Sequence, residues 1–345
     1  MTGAPAEIGV GVIGLGFIGG GHVRAYQAAR EAGHPCRLVA VCDVDPQRRS
    51  GRAAVAGNID TGDATRPLFD LAQVRAYADA AELIADPDVQ LVSICTHTDT
   101  HVELARRALR AGKHVLVEKP VATRAVEVRR LARVAAGART LCMPAMCMRF
   151  WPGWTWLKQR IEERTFGNVE SAVFVRLGSP PDWSPEFYLR PERSGGAVVD
   201  LHIHDVDFIR WCFGQPEAVV STGSRQHVTT LYRYAAGPRH VVAEGGWFSA
   251  AGFQFRMRYL VGFERAVVEY DSTREPRLTV MRDGRSEAVP LEATTGVDGE
   301  IRHLLEAISS GSGNLRATIA DSELTLRVLE AELRSLETGK PARPR

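Results

Sequence analysis

Gly9-Val10-Gly11-Val12-Ile13-Gly14-Leu15-Gly16-Phe17-Ile18-Gly19 is the stretch that decides the fold. A short apolar run ends in Gly-x-Gly-x-x-Gly, and a helical pattern follows over 17–31. Strand, glycine turn, helix is the context in which this motif holds a dinucleotide. Gly14 permits the tight turn, Gly16 lets the backbone approach a pyrophosphate, and Gly19 allows close helix–strand packing. The helix start at Phe17 and Ile18 offers N–H donors and the positive end of a dipole. Asp43 ends the next apolar run, near the ~20-residue spacing at which an acid takes the adenosine ribose. Its carboxylate accepts from ribose hydroxyls and repels a 2′-phosphate, which favours NAD. Arg48 and Arg49 lie nearby and can hold such a phosphate, so NADP stands as the second cofactor.

Further along, apolar runs beginning near Ile8, Leu38, Val74, Leu91, His114 and Leu141 alternate with helical patterns over 17–31, 46–56, 100–111 and 124–136. This is the βαβ signature of a doubly wound parallel sheet. The polar stretch 57–67 reads as a surface loop. The second half changes period. Phe253, Phe255, Met257 and Tyr259 alternate with polar residues, predicting a two-faced strand over 253–259. Further strands are expected over 239–248 and 265–270, and a hairpin over 278–291 around Asp283-Gly284. Two helices, 298–309 and 319–337, close the chain. The fold class is therefore α/β, with a doubly wound domain over 1–145 and an α/β domain with a large, mostly antiparallel sheet over 146–345.

A chain of 345 residues suits two such domains. Its net charge of +2 gives no reason to expect nucleic acid or an anionic membrane as partner. No apolar run approaches a membrane span, and the first apolar stretch is already the glycine-punctuated strand, so no secretory signal is expected. The six cysteines include no Cys-x-x-Cys pair and read as thiols of a reducing cytosol.

Two segments carry chemistry. His114-Val115-Leu116-Val117-Glu118-Lys119-Pro120 delivers a carboxylate, an amine and a proline at the end of a strand. In open parallel sheets ligands bind at the carboxyl ends of strands, so Lys119 is aimed at a ligand. The alternative is a surface lysine capping the strand. In Gly195 to Asp207, one helix is expected from Val198 to Trp211. On it Asp200 and His204 are i, i+4 neighbours, and Asp207 lies one turn beyond. A carboxylate beside an imidazole orients the ring and suits it to act as a general base. The competing reading is an acidic helix start with a capped histidine. His202 and His204 are two apart and face different ways, so they are a poor pair for one ion, and no metal is assigned. His202 is placed behind the reacting groups.

Together these segments resemble the glucose–fructose oxidoreductase/inositol dehydrogenase/MocA-like family of NAD(P)-dependent oxidoreductases, over nearly the whole chain. The glycine loop, Asp43, Glu118-Lys119-Pro120 and Met148-Arg149-Phe150 match, as does the closing Ser335 to Pro341. Thr96-His97-Thr98-Asp99-Thr100-His101 falls where the family carries Thr-Pro-x-x-x-His, with His97 in the proline's place. The resemblance implies an N-terminal Rossmann domain, a second domain for substrate binding and oligomerisation, and a cytoplasmic homodimer or homotetramer. It places Thr96, His97, His101, Glu118, Lys119 and Arg149 at the cofactor. It makes Lys119, Asp200 and His204 catalytic in hydride transfer between nicotinamide and a secondary alcohol of a sugar, cyclitol or sugar derivative. Arg149, Trp183, Tyr188, Arg190 and His202 are candidate substrate contacts. Packing between domains would explain Trp183 and Tyr188 equally well. Two other classes stand beside this one: a glycosidase that recycles NAD, and a regulator that senses dinucleotide or sugar without turnover.

Overall fold

The run before the glycine loop forms a strand, β1 (Ile8–Ile13), with all six residues buried. A strand buried on both faces belongs to a sheet covered by helices on both sides. The computed structural model describes residues 7–52, 67–250 and 252–345, and among these the chain divides into two units. The first draws on Met1–Ala122, Val126–Cys147 and Thr295–Glu323, the second on Thr123–Ala125, Met148–Thr294 and Leu324–Arg345. The first unit thus takes back Thr295–Glu323, although the sequence reading runs the second domain unbroken from 146 to 345.

In the first unit β1 is followed by α1 (Phe17–Glu31), β2 (Cys36–Cys42), α2 (Pro46–Arg49), β3 (Arg75–Tyr77), α3 (Ala80–Ala85), β4 (Leu91–Ile94), α4 (Thr98–Arg110), β5 (His114–Val117), α5 (Ala125–Ala136) and β6 (Cys142–Pro144). The strands lie in the order β3-β2-β1-β4-β5-β6, all parallel. The order reverses direction between β1 and β4, where a doubly wound sheet opens a ligand crevice at its carboxyl ends. Two expectations change here. The helix over 46–56 ends at Arg49, because Gly51 adopts φ +73° against the Phe69 carbonyl. The loop over 57–67 lies, but for Pro67, outside the described residues.

The second unit runs through α6 (Pro152–Glu162), β7 (Val169–Gly178), α7 (Pro185–Tyr188), α8 (Pro191–Ser194), α9 (Gly196–Asp200), α10 (Ile203–Phe213), β8 (Ala218–Gly223), β9 (His227–Arg233), β10 (His240–Trp247), β11 (Arg256–Phe263), β12 (Ala266–Asp271), β13 (Leu278–Arg282) and β14 (Arg285–Ala288). Two helices follow: α11 (Gly296–Ser310) in the first unit, and α12 (Ile319–Thr338). The strands order as β14-β13-β12-β11-β7-β10-β9-β8, antiparallel except where β7 meets β10. Asp283 and Gly284 both take positive φ, the backbone a two-residue hairpin needs. The strand expected over 253–259 starts only at Arg256. Phe253 instead closes a turn onto the Ala250 carbonyl, and its own carbonyl accepts from the Ser179 hydroxyl.

One face of this sheet is covered by α6 and α10 through aromatic packing. The fully buried Trp154 meets Phe208, Tyr259 and Tyr270 edge-on, with ring centroids 6.4, 5.2 and 4.5 Å away. Arg176 on β7 points into the same layer and forks onto Asp205 of α10 at 2.8 and 3.0 Å, both side chains fully buried. A buried ion pair contributes little net stability, but removing one partner strands the other charge. Asp205→Ala is therefore expected to cost about 3–5 kcal/mol. The double variant Arg176→Met/Asp205→Leu should recover most of that. Urea midpoints measure both, and equal losses from single and double variants would show that stranded charge is not the cause.

Candidate active site

The glycine loop has the geometry a pyrophosphate needs. Gly14 sits at φ +89°, and a Cβ there would lie 2.6 Å from the Cys95 carbonyl oxygen. A Cβ on Gly19 would come within 1.8 Å of the Gly14 carbonyl oxygen, so α1 approaches β1 more closely than any side chain allows. Gly16 is the N-cap of α1 and makes no side-chain cap bond, so the helix presents its N-terminus at the loop, as anion-binding helices do. Asp43 takes the Leu15 amide at 2.7 Å and the Asp45 amide at 2.9 Å, which ties the end of β2 to the loop. Each of its oxygens keeps a lone pair for a ribose hydroxyl. Arg49 donates to the carbonyls of Asp43 and Val44 at 2.7 and 3.0 Å, whereas Arg48 stands 3.8 Å from the Asp43 carboxylate.

The loops after β4 and β5 complete this edge. His97 is the N-cap of α4 with φ −70°, the value a proline ring would impose, so the histidine keeps the backbone a proline would give. The Thr96 and Thr100 hydroxyls meet at 2.6 Å. His101 lies inside, its Nδ1 2.9 Å from the Pro120 carbonyl and its Nε2 2.9 Å from that of Thr96. Burial pushes its pKa down, against the pull of the two carbonyls. His101 therefore acts by holding the two loops together, and the expectation that it contacts cofactor is revised. Lys119 is half-buried at the end of β5, followed by a cis peptide to Pro120. Glu118 is also revised. It turns inward, taking the Lys119 amide at 2.9 Å with one oxygen and facing His22 at 3.0 Å with the other.

In the second unit Gly195 and Gly196 both take positive φ and turn the chain into α9. The single helix expected over 198–211 is broken at Leu201 and His202, so Asp200 ends α9 while His204 lies in the first turn of α10. At the break the Ala197 carbonyl accepts from the amides of both Leu201 and His202. The His202 ring is drawn inward against Gly245 of β10, with Nε2 3.2 Å from the Tyr232 hydroxyl and 3.4 Å from Glu332. It is fully buried and does not line a substrate surface. Asp207 does not serve His204. It forks onto Arg149 with both contacts at 2.8 Å, and Thr325 donates to it at 3.1 Å. Arg149, expected at cofactor or substrate, is 2% exposed in this pair, with the Trp211 ring 5.6 Å away. Asp200 is 9% exposed and His204 half-buried. Trp183 and Tyr188 meet edge-on at 5.7 Å, and Tyr188 packs on the cluster of Ala197, Leu201 and Trp247 beside α9. Arg190 is exposed at the N-cap of α8.

Two residues escape the sequence reading. His22 lies one helical turn beyond Gly19, a spacing that marks it as inward-facing. Glu300 is an acid inside an ordinary amphipathic helix and carries no local signal.

The sheet order and glycine cradle define a Rossmann dinucleotide-binding protein. Residues 8–146 match the Gfo/Idh/MocA oxidoreductase family, NAD-binding Rossmann fold, and residues 154–258 match the Gfo/Idh/MocA C-terminal domain. The chain belongs to this family of NAD-binding oxidoreductases. An inositol 2-dehydrogenase of Rhizobium meliloti is 27% identical, covering 94% of this chain and 96% of its own. A myo-inositol 2-dehydrogenase of Thermotoga maritima is 32% identical over 62% of this chain and 58% of its own. Among solved structures, a levoglucosan dehydrogenase complexed with NADH and levoglucosan superposes with TM-score 0.82 at 22% identity, covering 98% and 99% of the two chains.

Gly19→Ala should push α1 off the Gly14 carbonyl and raise the NADH dissociation constant by about tenfold or more, a cost above ~1.4 kcal/mol. NADH fluorescence titration reads this, and unchanged affinity would show that the close approach does not shape the cradle.

Proposed function

We propose that this protein oxidises a secondary alcohol of a sugar or cyclitol with NAD as hydride acceptor. The observation that carries this is the Glu118 carboxylate holding the Lys119 backbone amide, which fixes the lysine's backbone just past the carboxyl end of β5, on the same sheet edge as the dinucleotide cradle. The inositol dehydrogenase relatives and the levoglucosan dehydrogenase neighbour support the substrate class.

Bound NAD supplies a hydride acceptor for the carbinol carbon. The alcohol proton must leave as the carbonyl forms, and we assign it to His204, since an imidazole titrates near ~6.5 and a lysine near ~10.4. Lys119 holds the reacting oxygen and stabilises the negative charge that develops there. Asp200 orients the imidazole and contacts a neighbouring hydroxyl. Trp183 and Tyr188 offer aromatic faces to the C–H side of a ring, and Arg190 a guanidinium to its hydroxyls.

The sheet face opposite α6 and α10 presents Leu260 and Val267, each 38% exposed, with Val173 paired to Leu260. We assign this face to a second copy of the chain, giving a homodimer or a tetramer built from it. We assign the chain to the cytosol, where the buried thiols Cys36, Cys42, Cys95 and Cys142 stay reduced.

His204→Ala and Lys119→Ala should each lower turnover by about 10²–10⁴-fold while NADH binding stays near that of the parent. The assay is NADH formation over a panel of sugars, inositols and sugar lactones, with NAD and NADP compared. Full turnover in both variants would overturn the assignment. Glycoside cleavage without net NADH would point to a cofactor-recycling glycosidase, and binding without turnover to a sensor. Leu260→Asp should shift the light-scattering mass toward one chain. An unchanged mass would place the interface elsewhere.

A further inference from the structure

His22, Glu118 and Glu300 come from three separate elements, α1, the turn after β5, and α11, and all lie in the first unit. One ligand atom from each lies within 4.8 Å of the others. His22 and Glu300 are 0% exposed and Glu118 6%. Neither carboxylate oxygen of Glu300 has a hydrogen-bond partner among the described residues. A buried carboxylate in that state is costly whether charged or protonated, because an acid O–H also needs an acceptor. Pairing His22 with Glu118 still leaves Glu300 unsatisfied.

We propose that His22, Glu118 and Glu300 bind one divalent first-row transition-metal ion, zinc in the first instance. A doubly charged cation balances two carboxylates beside a neutral imidazole, and it gives the orphaned Glu300 oxygens a partner. One nitrogen and two carboxylate donors suit Zn²⁺, Mn²⁺ or Fe²⁺. Mg²⁺ and Ca²⁺ prefer oxygen alone. The ring is already held as a metal-binding histidine is held. Its Nδ1 lies 2.7 Å from the Ser93 hydroxyl, which the Tyr26 hydroxyl approaches at 3.5 Å, so Nε2 is turned toward the carboxylates. Such a partner on the far nitrogen fixes tautomer and orientation. The ion would tie α11 to α1 and hold Glu118, whose other oxygen carries the Lys119 amide. Its role is structural, and the inference does not depend on which alcohol is oxidised.

The test uses the full chain, purified without chelator and with any affinity tag removed. Plasma mass spectrometry should find close to one transition-metal ion per chain. Stripping with dipicolinate should lower the Tm by several degrees, and added Zn²⁺ should restore it. Glu300→Gln and His22→Gln should each retain below about a tenth of the metal. Three results overturn the proposal: wild-type protein with under about a tenth of an ion per chain and no rise in Tm with Zn²⁺, Mn²⁺ or Fe²⁺; metal retained in a folded Glu300→Gln; or a Tm indifferent to stripping. The first would mean that water and a proton satisfy Glu300. If a variant does not fold, the wild-type stoichiometry and the stripping measurement decide alone.

Discussion

The first unit is organised by how closely α1 comes to β1. A Cβ on Gly19 would sit 1.8 Å from the Gly14 carbonyl oxygen, so the helix can start against the strand only with glycine there. That approach points the first N–H groups of α1 out over the carboxyl edge of the sheet, where a pyrophosphate gains both hydrogen bonds and the helix dipole. It also carries His22, one turn on, into the interior opposite Ser93 of β4 and Glu118 after β5. The cradle for the dinucleotide and the buried group behind Lys119 are thus two consequences of a single contact. The helix α11 belongs to the same unit, where it buries Ile301, Leu304 and Leu305 and brings Glu300 beside His22 and Glu118.

In the second unit the dense polar stretch from Asp200 to Asp207 divides its labour. Asp205 neutralises Arg176 inside the aromatic layer, Asp207 neutralises Arg149, and His202 joins Tyr232 and Glu332. Each of these is buried, and each fixes α10 against a different neighbour. A stretch rich in acids and histidines therefore reads as chemistry over its whole length, although three of its members hold the scaffold. Asp200 and His204, at the junction of α9 and α10, are the two assigned to the reaction.

The parallel sheet was legible because its strands are short continuous apolar runs separated by glycine punctuation, and its observed strands begin within two residues of the expected runs. The strands β7, β8 and β9 go unrecognised. Arg176 and Thr230 occupy inward positions on β7 and β9 and interrupt the apolar alternation, and only tertiary partners, Asp205 and Ser221, make those polar residues tolerable. The break in the helix at His202 was invisible for a related reason. Helical periodicity continues through it, and the partners of the His202 ring there, Tyr232 and Glu332, are distant in sequence. The motifs that contain Glu118 and Arg149 do not disclose that the two side chains face His22 and Asp207. A motif records which residue stands at a position, whereas direction depends on charged partners such as His22 and Asp207.

Asp43 shows how fold and cofactor choice are coupled. Its two oxygens take the amides of Leu15 and Asp45, so the acid we assign to the ribose also builds the glycine loop. Replacing it to admit a 2′-phosphate would release Leu15 and loosen the cradle. Arg48 is placed differently. Its guanidinium lies 3.8 Å from Asp43, a third of the side chain is exposed, and a Cβ on Gly16 would sit 3.9 Å from it. At that separation and exposure the ion pair is weak, within about 1 kcal/mol, and the arginine can turn toward a phosphate without dismantling the loop. We therefore propose that any accommodation of NADP in this scaffold would run through Arg48, with Asp43 kept in place to hold the turn.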